Sequence, residues 1–165
     1  MDSLKQFAKE GEAEIKKVIL IKAMEAVAEA KRLAPVDMGE LRQNISFEKQ
    51  DSDGLHYSVI AFANYAAYVE FGTGKKVSVP DEFAEMAIQF KGAAGGSFED
   101  GLKRIQGWCK RHGIDEGAAY PIFMSILNKG LEPQPFLHPA FKSAEETFKK
   151  DLEFVFNRLM EKYNK

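Results

Sequence analysis

One cysteine, Cys109, occurs in the 165 residues, so no intrachain disulfide braces the fold. Small secreted domains usually carry several paired cysteines; a lone one fits a reducing compartment and reads as a small buried apolar group. Charge of one sign is missing too: 23 Lys+Arg stand against 25 Asp+Glu, a formal net charge of -2. That balance supplies no general drive toward nucleic acid or an anionic membrane, although local patches remain open. No apolar run approaches the length of a bilayer span. The start, "MDSLKQFAKEGEAEIKK", lacks the unbroken apolar stretch of a signal peptide, so the chain is expected to stay in the cytoplasm. There is no internal repeat, and low complexity is confined to a short Gly/Ala stretch. What is present, 45% hydrophobic and 12% aromatic residues, is the composition of an ordered single domain.

From Ser3 to Leu33 the spacing predicts one long helix. Leu4, Phe7, Gly11, Ile15, Val18 and Lys22 trace one stripe, with Ile19, Ala23, Ala26, Ala30 and Leu33 beside it. Pro35 ends it. "VDMGEL" predicts a short helix with Asp37 as N-cap and Glu40 three residues on. "NISFEKQ" and "LHYSVIAFA" read as an antiparallel hairpin joined by "DSDG". "NYAAYVEFG" fits a helical turn leading into Gly72, with Tyr65, Tyr68 and Phe71 on one face against the sheet. The stretch from Pro80 to Gly130 reads as an insertion of two or three helices with a flexible tip near Gly92 to Gly96. The chain then closes with an extended proline-rich strand, "LEPQPFLHPAF", and a helix from Lys142 to about Tyr163 that buries Phe148, Leu152, Val155, Phe156 and Leu159. The whole is expected to be one α+β domain over residues 1–165, with the insertion at about 80–130: a small antiparallel sheet packed against long first and last helices.

Signs of chemistry are few. "FGTGKK" resembles a phosphate loop, but Gly72 and Gly74 are separated only by Thr73, whereas a P-loop needs four residues between its first glycine and Gly-Lys-Ser/Thr. A tight turn with solvated lysines is the plainer reading. Cys109 and His112 form a C-x-x-H pair, yet zinc needs three or four ligands, and His56 and His138 lie far apart in sequence. No G-x-S-x-G elbow occurs. Asp51/Asp53 and Asp81/Glu82/Glu85 read as a solvated turn and a helix's first turn. Trp108, with Lys103, Arg104, Lys110 and Arg111, makes a basic aromatic helix that also fits an ordinary polar face. No catalytic, cofactor-binding or metal-binding residues are expected.

Three stretches in order carry a family likeness: "APVDMGELRQNI" after a long helix, "YAAYVEFGTG" after a hairpin, and "PQPFLHPAF" before a last helix. Together they resemble the tail-completion, or head–tail connector, family of long-tailed phages. The likeness spans most of the chain, and the Pro80 to Gly130 helices resemble an insertion that many members carry. The matching positions are Ala34, Pro35, Val36, Asp37, Gly39 and Leu41; Tyr65, Ala66, Tyr68, Val69, Glu70, Phe71, Gly72, Thr73 and Gly74; and Gln134, Pro135, Phe136, Leu137, Pro139 and Ala140. Met38 departs from a usual small hydroxyl residue, and His138 from a common arginine.

The resemblance implies a structural virion protein, without enzymatic activity, at the neck or tail end. It would form a ring with copies of itself, matching the tail's six-fold symmetry. Its partners would be the tail tube or tail terminator protein and the head-closure or connector proteins, with no membrane and no specific nucleic acid. Near-neutral charge suits such a place, because a strongly basic lumen would hold the genome back. The motif residues would then be structural: Tyr65, Tyr68 and Phe71 anchoring a turn, Gly72 and Gly74 reversing it, and Glu70 pairing with a basic group or capping it. "PQPFL" would pack against that turn. The rival expectation is a nucleic-acid-binding accessory protein using Lys75, Lys76 and the Trp108 helix.

Overall fold

The computed structural model describes residues 2–84 and 97–164, and the chain is α+β. It divides into two compact units, Met1–Ala66 with Pro135–Lys165, and Ala67–Gln134. The expected tip at Gly92 to Gly96, and the part of the "DEFAEMAIQF" helix beyond Ala84, lie outside the described residues.

In the first unit the long periodic segment is a single helix, α1 (Asp2–Leu33), followed by a four-residue helix, α2 (Glu40–Gln43). The hairpin is β1 (Ile45–Lys49) paired antiparallel with β2 (Tyr57–Ala61), with Phe47 opposite Val59. Its turn is pinned by Asp51, whose carboxylate accepts the Gly54 amide at 2.6 Å and the Leu55 amide at 3.2 Å. The last helix of this unit, Leu137–Tyr163, is α6 in chain order.

Paired residues run in opposite senses along the two long helices, so α1 and α6 lie antiparallel. Phe7 meets Tyr163 edge-to-face at 5.4 Å. Glu10 pairs with Lys162 and Glu14 with Arg158, each at 2.6 Å. Val18, Val155 and Leu159 form the buried seam, with Phe7, Phe148, Leu152 and Tyr163 packed on it. Burying such side chains contributes about 1.5–3 kcal/mol each. Lys22 is buried beside this seam, its ammonium donating to Asp151 at 2.6 Å, Glu25 at 2.7 Å and Thr147 at 2.9 Å. Burial pulls the Lys22 pKa down, but the hydrogen-bonded carboxylates of Asp151 and Glu25 outweigh it and the net direction is upward. A neighbouring side of α1 buries Ala23, Ala26 and Ala30, and α1 also packs on both strands.

Three expectations are corrected. Asp37 is not the N-cap of α2: Gly39 is, at φ 82, a left-handed backbone that glycine adopts without steric cost. "LEPQPFLHPAF" is not an extended strand: residues 131–136 are irregular, and α6 already begins at Leu137. Pro139 is tolerated because it sits in the first turn, where the N–H groups have no intrahelical acceptor. Phe156 is exposed, not buried, because it lies about 100° around the helix from Val155.

The second unit is built of short pieces. The helix α3 (Ala66–Phe71) leads into 3-10 turns at Gly74–Lys76 and Asp81–Phe83. Then come α4 (Phe98–Arg111) and α5 (Ala119–Lys129). Ser97 caps α4 by accepting the Asp100 amide at 3.1 Å. Phe98 stacks edge-to-face on Phe123 at 5.1 Å. A methyl at Gly101 would stand 2.5 Å from the Phe123 ring, so that glycine lets α4 and α5 approach. Cys109 is fully buried, as a small apolar core group.

Candidate functional site

The first motif forms the exit of α1. Arg42, one turn into α2, donates from Nε to the Ala34 carbonyl at 3.1 Å and from Nη2 to the Arg32 carbonyl at 3.4 Å. A cation there satisfies carbonyls that the helix leaves orphaned and opposes the negative end of its dipole. Ala34 and Leu41 are buried, Pro35 and Gly39 half-buried, and Val36, Asp37 and Met38 exposed. Tyr65, from the second motif, joins this turn. Its pKa is raised by burial and by the nearby Glu40 carboxylate, against a lowering influence of the nearby Leu41 amide. The first and second motifs therefore meet at Tyr65.

The rest of the second motif grips the irregular segment leaving α5. Val69 accepts the Gln134 amide at 2.7 Å. Thr73 donates its amide to the Leu131 carbonyl at 3.0 Å, and its hydroxyl accepts the Leu131 amide at 2.8 Å. Lys76 reaches Glu132 at 2.8 Å. Two glycines permit this closeness. A Cβ on Gly72 (φ 76) would stand 2.8 Å from the Leu131 carbonyl oxygen, and one on Gly130 (φ 81) 1.9 Å from that of Thr73. The result is a backbone clasp between residues 69–76 and 130–134. Phe71 packs on Phe83 at 6.3 Å, Tyr68 is half-buried, and Glu70 is a carboxylate of only 4% exposure.

The same geometry answers the phosphate-loop question. The Gly72 amide goes to Tyr68, that of Thr73 to Leu131 and that of Lys76 to Thr73. A phosphate cradle needs such N–H groups free to converge on an anion; these are spent within the protein.

Of the third motif, Gln134 belongs to the clasp, Pro135 is exposed, Phe136 and Ala140 are buried, and Leu137, His138 and Pro139 are half-buried in the first turn of α6. Phe136 is the largest fully buried side chain among the described residues. Gly130, Leu131, Glu132 and Arg42 were not singled out from sequence. Gly130 carried a signal, since a glycine directly after a helix ending in lysine marks a C-terminal cap.

Among the described residues, no group of three or more His, Cys, Asp or Glu side chains is assembled to hold a metal. Cys109 is buried while His112 is exposed, its ring 4.8 Å from that of Trp108. A groove of about 320 Å³ on the first unit is lined by Glu10, Glu14, Arg158, Leu159 and Lys162, and its charges pair across it. No helix among the described residues is long and apolar enough to cross a membrane.

Residues 1–72 match the family described as "Bacteriophage HK97-gp10, putative tail-component". No curated protein and no solved structure matches the chain. The matched stretch holds α1, the Arg42-capped turn, the hairpin, Tyr65 and α3, and ends at the clasp glycine Gly72. Over residues 1–72 the chain is thus similar to this family of phage tail components.

Proposed function

We propose that the protein completes the tail of a phage or prophage particle and joins it to the head at the neck. It acts without catalysis, as a ring of copies of itself between the tail tube or tail terminator protein and the head-closure or connector proteins. It assembles in the host cytoplasm and ends in the virion. The observation that carries this reading is the family match over residues 1–72. The motif residues Pro35, Asp37, Gly39, Leu41, Tyr65, Tyr68, Glu70, Phe71, Gly72, Thr73, Gly74, Pro135, Phe136, Leu137 and Pro139 serve structure here. They hold chain turns and the clasp in place so that partner surfaces are presented rigidly. Of the rival reading, a nucleic-acid-binding accessory protein using the Lys75/Lys76 turn and the Trp108 helix, the turn's part is disfavoured by the Lys76–Glu132 pair and the spent amides.

Electron microscopy of particles made without this gene, with a plasmid-supplied copy as control, tests the reading. Filled heads accumulating apart from tails, or tails of uncontrolled length, are the expected result. Normal infectious particles would overturn it.

A further inference from the structure

The outer face of α4 has a charge pattern that the neck role does not use. Lys103, Arg104, Lys110 and Arg111 are all exposed, and their helical positions fall within a sector of about 120° centred near Gly107. Lys103 to Lys110 is seven residues, about 10.5 Å along the axis. Between them Arg111 lies back over Gly107, its Nη1 3.3 Å from where a Cβ would stand. Among the described residues Lys103, Arg104 and Lys110 have no carboxylate partner. The neighbouring Asp100 is held in the Ser97 cap, and Glu99 stands one turn before Lys103. Bordering the cations, Trp108 is half-buried against His112.

We propose that this face of α4 contacts the phosphate backbone of duplex DNA, weakly and without reading sequence. The argument is charge complementarity. Lys103 and Lys110, two helical turns apart with Arg104 on the same face, suit a run of regularly spaced anions. An acidic protein surface would ask less for a repeat of cations along one axis. With three phosphates neutralised by Lys103, Arg104 and Lys110, log affinity should fall against log salt with a slope of about -2.7. The contact is therefore present at low salt and largely screened at higher salt, which suits passage rather than retention. This inference stands apart from the neck reading and fails separately from it.

Fluorescence anisotropy of a short labelled duplex with the full chain, at about 50 and 200 mM salt, tests it. The expected result is an affinity that drops about 40-fold across that range. In K103A/R104A/K110A it falls at least about tenfold at low salt with a flattened slope, while K103R/K110R binds as the parent does. Unchanged melting curves would show that both variants fold. Absence of binding at low salt, equal binding by the alanine variant, or equal competition by polyglutamate at matched charge would each overturn the assignment to DNA.

Discussion

Between α1 and α6 the contacts that hold the chain are made by side chains, whereas in the Ala67–Gln134 unit the clasp is made mostly by backbone. The first kind depends on volume and on matched charge along two long helices. The second depends on two positions where any side chain at all is excluded, Gly72 and Gly130. A packed seam gives way gradually, because neighbours relax into part of the space a truncation leaves. A clasp of reciprocal hydrogen bonds at such short range has nowhere to move when a methyl group is driven into a carbonyl oxygen. The two units should therefore respond to opposite kinds of change, the first to losing atoms and the second to gaining them.

The largest effect is expected in the first unit. Phe136→Ala empties a fully buried site and should cost about 3–5 kcal/mol in chemical denaturation. A cost under about half a kilocalorie would mean that Phe136 is not part of that unit's core. Next comes Gly130→Ala, the addition of one carbon. With its Cβ only 1.9 Å from the Thr73 oxygen and φ at 81, it should cost about 2 kcal/mol or more. Hydrogen exchange would locate the damage at the Thr73 and Leu131 amides; protection retained there would contradict the clasp. Thr73→Val keeps shape and removes the acceptor of the Leu131 amide, for a cost of about 0.5–1.5 kcal/mol. An unchanged melt would show that water replaces that hydroxyl freely.

The smallest effect sharpens the electrostatic half of the comparison. Glu10 is held below its ordinary pKa of 4.5 chiefly by its hydrogen bond to Lys162, and Glu14 by those to Lys17 and Arg158. Depressed carboxyl pKa values mean that their contribution is present above about pH 4.5 and is lost as pH falls through the lowered values. Lys22 has the opposite sign: its raised pKa keeps its contribution intact at neutral pH, to be lost only in alkali above the ordinary 10.5. Thermal melts from neutral to acid pH should show a slight slope that flattens in E10Q/E14Q. A variant that kept the parent's full slope would assign acid sensitivity elsewhere.

Much of the first unit was legible because its information is local. The 3.6-residue period of α1, the Pro35 stop and the Asp51–Gly54 turn each lie within a few residues of what they control. The start of α6 was misread because Pro135 and Pro139 suggest an extended chain, whereas a proline in a first helical turn costs no hydrogen bond. The clasp was only half legible. Gly72 and Gly74 announce a turn, but its partner, Leu131 to Gln134, lies nearly sixty residues on, and no period or spacing links the two. The Arg42 cap was missed for a similar reason: an arginine's reach to a preceding helix end depends on the path of the turn between them.

The ladder between α1 and α6 works like a vernier scale. Glu10 opposite Lys162, Glu14 opposite Arg158 and Lys22 opposite Asp151 coincide at one setting only. Slide α6 by one helical turn in one direction and Glu14 meets Lys162 but Arg158 comes to face the apolar Val18; slide it in the other and Glu10 meets Arg158 but Phe154 faces Glu14, so either slip keeps only part of the set. An oily seam alone tolerates such slippage, because one aliphatic side chain replaces another with little loss. The ion pairs, individually weak, turn a sliding joint into an indexed one. The reach of each helix end is thereby set to a fraction of a turn.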